Sequence, residues 1–148
     1  MQSKRNLIIG LLTLAVLLTG CSHVGRTIPP EKRIALEEGG PHSGTWSDFD
    51  CIVDYQYQLT RTEPATPGKL VLKGSVGSRG KSLDSLSIWV DLLDADGKIL
   101  AQKNVYNSGY RLETSSGSVQ VNLDIPPGTV AVSFGSLAQE RRGSRGGR

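Results

Sequence analysis

Two cysteines and two histidines are the residues in this chain best suited to nucleophilic chemistry. A catalytic thiol needs a general base within hydrogen-bonding reach. His23 and His42 both precede the predicted domain, whereas Cys51 falls on the apolar side of a predicted strand. We therefore expect Cys51 to be a small buried hydrophobic residue and not a nucleophile. Cys21 differs from it, because it ends an apolar run near the start of the chain.

A calcium loop is suggested by the acidic run that contains Asp91, Asp94, Asp96 and Gly97. An EF-hand loop needs acidic ligands at its positions 1, 3 and 5, Gly at 6 and Glu at 12. With Gly97 at position 6, Leu92 falls at position 1 and Lys103 at position 12, so the motif fails. Asp-Gly between two strands is itself a hairpin signal. We expect a turn here and no metal site.

Other signatures of catalysis or cofactor binding are lacking in the sequence. It contains neither an evident Ser-His-Asp set nor a His-rich metal cluster. The segment Gly77-Ser78-Arg79-Gly80 has no following helix whose N-terminus would bind a phosphate. The sequence thus predicts a protein that is not an enzyme and has no cofactor.

The first 21 residues have the features of a secretory signal. Lys4 and Arg5 give a positive start, and an apolar run of 12 residues extends from Leu7 to Leu18. Such a run matches the apolar region of a signal peptide. It is too short for a permanent membrane span, which needs about 20 residues.

The run ends in Leu18-Thr19-Gly20-Cys21, which resembles the lipobox of bacterial lipoproteins. The resemblance implies cleavage between Gly20 and Cys21, a diacylglyceryl group on the Cys21 thiol, and acylation of the new amine. The alternative is an ordinary signal peptide followed by a chance cysteine. Since two membrane signals already give stable anchoring, three acyl chains should hold the protein permanently. By resemblance to Gram-negative sorting rules, Ser22 permits transfer to the outer membrane, so we expect an envelope protein that faces the periplasm.

The charge distribution argues against a nucleic-acid partner. The formal net charge is +3, but two positive charges leave with the signal peptide. The segment from Glu140 to Arg148 carries four arginines against one glutamate, which leaves the globular part at about −2. We expect residues 138–148 to be a disordered basic tail, although its Arg-Gly-Gly-Arg ending resembles a fragment of RNA-binding repeats.

Between the anchor and the first strong pattern, residues 21–47 are predicted to be the lipidated N-terminus and a flexible tether. This segment contains Pro29-Pro30 and Gly39-Gly40-Pro41 and few large apolar residues. Two helical turns from Pro30 to Glu38 would be only marginally ordered. A flexible tether of about 26 residues spans roughly 25–30 Å, enough to lift a domain off the bilayer.

From Phe49 onward, apolar and polar residues alternate with the period of a half-buried strand. The first run places Phe49, Cys51, Val53, Tyr55, Tyr57 and Leu59 on one face. Further runs begin near Leu70, Leu86, Ile99, Val119 and Val130, and a short edge strand is possible from Tyr110 to Glu113. Six or seven short antiparallel strands predict an all-β fold, an immunoglobulin-like β-sandwich over residues 48–137.

A second resemblance covers about 30 residues from Leu72 to Ala101. Gly74-Ser75-Val76 and Val90-Asp91-Leu92-Leu93-Asp94 resemble the strand pattern of FxLYD-type domains of bacterial envelope proteins. Val90 replaces the family's Phe, Leu93 replaces its Tyr, and the usual Asn is missing. The resemblance implies a binding or spacer module and supplies no active site.

Trp89 is the one residue that suggests a partner surface. Its neighbours Ile88 and Val90 belong to the core face, so Trp89 should point outward beside Leu93. Alternatively, the tether or Val71 covers it. Tyr106 and Tyr110 would extend the patch if they lie close. We hypothesise a lipid-anchored module that binds another envelope protein or supports assembly, and the alternative is a periplasmic carrier or sensor of a small ligand or metal.

Overall fold

The structure is a computed structural model that describes residues 23–79, 83–109 and 116–140. These residues form eight strands and one short 3-10 turn. In chain order the elements are the 3-10 turn Pro30–Lys32, then β1 Ile34–Ala35, β2 Gly39–Ser47, β3 Cys51–Thr60, β4 Gly68–Ser78, β5 Leu83–Leu93, β6 Ile99–Asn107, β7 Ser116–Ile125 and β8 Ala131–Glu140.

The strands pair antiparallel in two sheets of four. The first sheet has the order β1-β8-β5-β6 and the second has the order β2-β3-β4-β7. The predicted all-β sandwich is therefore confirmed, with eight strands where six or seven were expected. The predicted edge strand around Tyr110 lies outside the described residues.

The strand order explains the immunoglobulin-like character of the sandwich. β3, β4 and β7 lie side by side as strands A, B and E do in immunoglobulin domains, and β5 and β8 pair as strands C and F do. β6 lies beside β5, in the place of the extra strand of variable-type domains. The place beside strand F, which strand G fills in those domains, is taken here by β1. This strand comes from the N-terminal side and has only two residues.

The core lies between the sheets and follows the alternation seen in the sequence. In β3, the residues at alternate positions are buried, and in β5 Leu86, Ile88, Val90 and Leu92 are almost completely buried. Phe134 of β8 packs against the rings of Trp46 and Tyr55, with centroids 5.6 and 5.3 Å away. Burying such aliphatic and aromatic side chains contributes about 1.5–3 kcal/mol each, which is the main stabilisation of the two-layer fold.

The turns form where the sequence predicts them. At the β5–β6 turn the Gly97 amide donates to the Asp94 carbonyl, and Gly97 has φ of 80°. After β7, the Thr129 amide donates to the Pro126 carbonyl and Gly128 has φ of 82°. Pro127 at the second position and a positive φ at Gly128, the third, are typical of a type II turn.

The expected boundary between tether and domain is corrected by the structure. Residues 34–47 form β1 in the first sheet and β2 in the second. The link between these strands is also held, because the amide of Glu37 donates to the Tyr57 hydroxyl at 3.0 Å and Arg61 Nε lies 2.6 Å from Glu38 Oε1. The alternation in β2 was missed because its polar and glycine residues lie at an exposed sheet edge with little apolar signal.

Two smaller boundaries also differ. Phe49 was expected inside, but 79% of it is exposed. The Asp48 carboxylate accepts hydrogen bonds from the amides of Asp50 and Cys51, so this segment turns and the strand begins only at Cys51. At the other end, β8 continues to Glu140, so residues 138–140 belong to the sandwich and not to the tail.

Candidate functional site

Trp89 lies on the outer face of the first sheet, as predicted, but it is half-buried there. An ideal Cβ on Gly135, its partner on β8, would lie 2.4 Å from the indole, so the ring rests directly on that backbone. His23 stacks with the indole, with ring centroids 6.2 Å apart and planes 20° apart. The N-terminal segment therefore covers part of Trp89, which was the alternative raised by the sequence, while Val71 lies in the other sheet.

Leu93, expected to be exposed beside Trp89, is completely buried. It packs with Ile99 and Ala131 in a small second cluster, and Ile28 of the N-terminal segment covers that cluster. The segment is held there by backbone pairing, since Gly25 donates to the Ile99 carbonyl at 2.9 Å. Leu93 is thus a core residue and not part of a partner surface.

A buried polar network that was not predicted from the sequence lies between Trp89 and this cluster. Asp91 is 5% exposed and accepts a hydrogen bond from Gln102 Nε2 at 2.8 Å. His23 Nδ1 lies 3.2 Å from the same Gln102 nitrogen. Burial raises the pKa of the Asp91 carboxyl above its usual value, and the Gln102 hydrogen bond opposes that shift. The network attaches the N-terminal segment to the outer face.

The two predicted tyrosines do not extend a patch around Trp89. Tyr106 is paired with Ile88, a core-facing residue, and its ring lies against Gly117 on β7. It therefore closes the β6–β7 side of the sandwich. Tyr110 lies outside the described residues. The surface predicted from Trp89, Leu93 and Tyr106 is not assembled.

Cys51 is fully buried, as expected. Burial, and after it the nearby Asp48 carboxylate, raises the pKa of its thiol to about 12. The two histidines contact other groups: His23 contacts Trp89, and His42 lies 3.5 Å from Glu37 and against Tyr57. The buried environment keeps the Cys51 thiol protonated, which suits a residue that only packs in the core.

A concave groove lies between the two sheets, at the edge where β1 faces β2. We name it the edge groove, with a volume of about 570 Å³. Its apolar lining is Ile34, Trp46, Phe49 and Phe134, and its charged lining is Glu31, Lys32, Arg33 and Asp48. Sites for small ligands have volumes of roughly 300–1,000 Å³, so the groove is large enough for a ligand or a few peptide residues.

The short β1 strand creates this groove. β1 is in register with β8 only at Ala131 and Val132, whereas β8 continues to Glu140. Within the described ranges, β8 beyond Val132 has a strand neighbour on one side only, which is β5. An edge of this kind presents backbone N–H and C=O groups that can pair with another extended segment.

The loop after β2 bounds the groove at its far end. Ser136 on β8 donates a hydrogen bond to Asp48 Oδ2, and Arg79 Nη1 donates to the Asp48 carbonyl at 3.2 Å. Burial works against ionisation of Asp48, but the hydrogen bonds from Ser136 and from the Cys51 and Asp50 amides lower its pKa overall. The groove lining therefore carries the fixed negative charge of Asp48, and the exposed Lys32 belongs to the same lining.

The acidic run in the β5–β6 turn is used by the turn itself. Asp94 Oδ1 accepts hydrogen bonds from the amides of Asp96 and Lys98, both at 2.9 Å. Among residues 23–79, 83–109 and 116–140, no group of three or more His, Cys, Asp or Glu is close enough to hold a metal ion. The predicted hairpin is confirmed.

The lipobox residues, Gly20 and Cys21, lie outside the described residues, as does the tail beyond Glu140. In the described part of the chain no helix has the length and apolar character required to cross a membrane. In comparisons with protein-family models, with curated proteins and with solved structures, no match to this chain was found.

Proposed function

We propose that this protein is a lipid-anchored lipoprotein of the cell envelope whose β-sandwich binds an extended segment of another envelope protein. The observation that carries the binding role is the edge groove beside β8. The place that strand G fills in immunoglobulin domains is occupied there only by the two-residue β1, so most of the β8 edge is open. The anchor rests on Cys21 and its lipobox. We propose the periplasmic face of the outer membrane as the location of the protein.

The lining of the groove suits a polypeptide. A bound strand pairs its backbone with the sheet edge, and alternate side chains enter pockets between the sheets. Trp46 and Phe134 form an aromatic floor for one such side chain, with ring centroids 5.6 Å apart. Lys32 and Asp48 both belong to the lining and favour a segment with charges of both signs. Strand addition here would complete the sandwich in the same way that strand G completes an immunoglobulin domain.

Photo-crosslinking in living cells tests the groove with the lipid anchor intact. A photoreactive phenylalanine analogue at Phe49 stands on the rim, and the matched control position is Gln56, exposed on the outer face of the second sheet. We expect one discrete adduct from position 49 and none from position 56. Equal labelling at both positions, or none at 49 in a folded and acylated protein, would overturn the groove as the binding site.

A charge reversal on the rim gives a second readout. Lys32→Glu should reduce the recovery of the crosslinked partner by about 10-fold if Lys32 pairs with an acidic group that becomes desolvated. Lys69→Glu is the matched control, because Lys69 is an exposed strand lysine on β4, away from the groove lining. Both variants should keep the melting temperature of the parent protein.

A small-ligand carrier remains the second candidate because the groove volume falls within the range of ligand sites. Ligand-induced thermal shifts separate it from the first. A lipid, glycan or metal that raises the melting temperature, and whose effect disappears in Trp46→Ala but not in Gln56→Ala, would favour the carrier.

A further inference from the structure

We propose that the outer face of the first sheet around Trp89 rests against the lipid headgroups, so that the domain sits directly on the bilayer and not at the end of a tether. This inference depends on the acylation of Cys21 in the proposed function. Beyond the proposed function, it identifies the surface of the sandwich that meets the membrane and the surface that remains free for a partner.

His23 is held against the outer face of the first sheet. Its ring stacks on Trp89, and its Nδ1 lies 3.2 Å from Gln102 Nε2. The chain that follows is paired with the start of β6, because Ile28 donates to the Gly97 carbonyl at 2.8 Å and Ile99 donates to the Arg26 carbonyl at 2.8 Å. The segment from His23 onward is therefore part of the folded domain.

The anchoring residue is close to His23 along the chain. Cys21 precedes His23 by two residues. Each residue spans at most about 3.6 Å, so the Cys21 Cα lies within roughly 7 Å of the His23 Cα. The acyl chains attached to Cys21 are in the bilayer, so the surface around His23 must lie at the depth of the headgroups. A tether of about 26 free residues would have allowed far more separation.

The side chains around His23 suit contact with lipid headgroups. Trp89 is amphipathic and half-buried, and rings of this type are favoured at the interface between lipid and water. Val24, the residue after His23, is 49% exposed, and Arg26 and Lys98 are exposed where the segment pairs with β6. Cationic side chains near anionic headgroups add to the attraction. Asp96, in the adjacent β5–β6 turn, is an exposed acidic residue near these cations in sequence.

The orientation leaves the edge groove accessible. Gln102 belongs to β6, at one edge of the first sheet, and β1 forms the opposite edge. The attachment of the N-terminal segment at β6 and the edge groove at β1 therefore lie at opposite edges of that sheet. A partner can enter the groove without displacing the surface that lies on the membrane.

The two tryptophans of the chain allow a direct test. Trp46→Phe leaves Trp89 as the single fluorophore, and Trp89→Phe leaves Trp46 as the internal control. Each acylated protein is reconstituted in vesicles of phosphatidylethanolamine and phosphatidylglycerol whose acyl chains are brominated near the headgroup. Bromine quenches tryptophan only at short range, so we expect quenching of Trp89 and none of Trp46.

A spacer supplies the matched control. An insertion of about ten Gly and Ser residues between Ser22 and His23 leaves the folded segment unchanged but frees the domain from the anchor. We expect it to restore the fluorescence of Trp89. Circular dichroism, together with the emission maximum before reconstitution, shows that every variant is folded.

The possible results separate this inference from the proposed function. If mass spectrometry finds no acyl groups on Cys21, the anchor is wrong and this inference falls with it. If Cys21 is acylated and Trp89 is unquenched, or both tryptophans are quenched equally, the anchor stands and the orientation is overturned.

Discussion

The indole of Trp89 lies directly on the backbone of Gly135, its neighbour across β5 and β8. A Cβ added at Gly135 would lie 2.4 Å from Cε2 of the indole, which is closer than real contacts allow. The absence of a side chain at residue 135 is thus what lets a large aromatic ring lie flat against the sheet. His23 then stacks on that ring, so the position of the N-terminal segment depends on a glycine two strands away.

Gly135→Ala should therefore displace Trp89 and loosen His23. We expect a loss of about 1–3 kcal/mol in the free energy of unfolding, because inserting even one methyl group into a well-packed site forces its neighbours to move. Urea denaturation monitored by circular dichroism measures it. Leu137→Ala, at a 65% exposed position on the same strand, is the control and should change the free energy by less than about 0.5 kcal/mol. Equal effects at both positions would show that the ring accommodates the methyl group.

Ile28→Ala tests whether the N-terminal segment is part of the domain. Ile28 covers the cluster of Leu93, Ile99 and Ala131. Truncating a half-buried isoleucine that packs on a core cluster should cost about 1–3 kcal/mol. For comparison, Val24→Ala removes an exposed side chain of the same segment and should be nearly neutral. A free tether would instead make both substitutions neutral in chemical denaturation.

The sequence predicted the sandwich well because half-buried strands alternate with a period of two, and β3, β5 and β7 show that alternation clearly. It predicted the burial of Cys51 and the outward direction of Trp89 for the same reason. It failed at β2 and at Leu93, where a residue's environment is set by distant parts of the chain. Leu93 does point away from the main core, but the segment around Ile28 packs over it. Local alternation gives the face of a strand and not what lies against that face.

The edge groove was missed for a related reason. Trp46 and Phe134 are 88 positions apart, and their proximity follows from the pairing of two separate sheets. The shortness of β1 is equally invisible, since Ile34 and Ala35 have no alternating neighbours that would mark a strand. Only the register between β1 and β8 reveals that the place beside β8 is mostly open.

Asp91→Asn should change how stability depends on pH. Burial raises the pKa of Asp91 above its ordinary value of 3.8. Between the ordinary and the raised pKa, the folded state binds more protons than the unfolded state, so this group lowers stability as pH rises through that window. Asn does not titrate, and its amide oxygen still accepts from Gln102. The variant should therefore gain stability relative to the parent protein as pH rises from about 4 to neutrality.

The measurement for Asp91 is a series of urea titrations across that pH range. Asp124→Asn is the matched control, because Asp124 is an exposed residue on β7. Its difference from the parent protein should stay the same across the series. The stability difference between Asp91→Asn and the parent protein could be equally constant with pH. In that case burial imposes no free-energy cost on ionised Asp91, and the network around Gln102 stabilises its charge.

Thiol labelling tests the states of Cys51 and Cys21 together. Only the thiolate reacts readily with a disulfide reagent, and a pKa of about 12 leaves almost none of Cys51 in that form at neutral pH. An acylated Cys21 is a thioether and has no thiol. The mature protein should therefore show no rapid labelling when folded and one reactive thiol per chain when denatured. A Gln56→Cys variant, exposed on β3, should label rapidly and confirms the reagent. One rapidly labelled thiol in the folded parent protein would contradict this prediction. If denaturant then exposes a second thiol, Cys21 is not acylated. If no second thiol appears, Cys51 itself is the reactive residue.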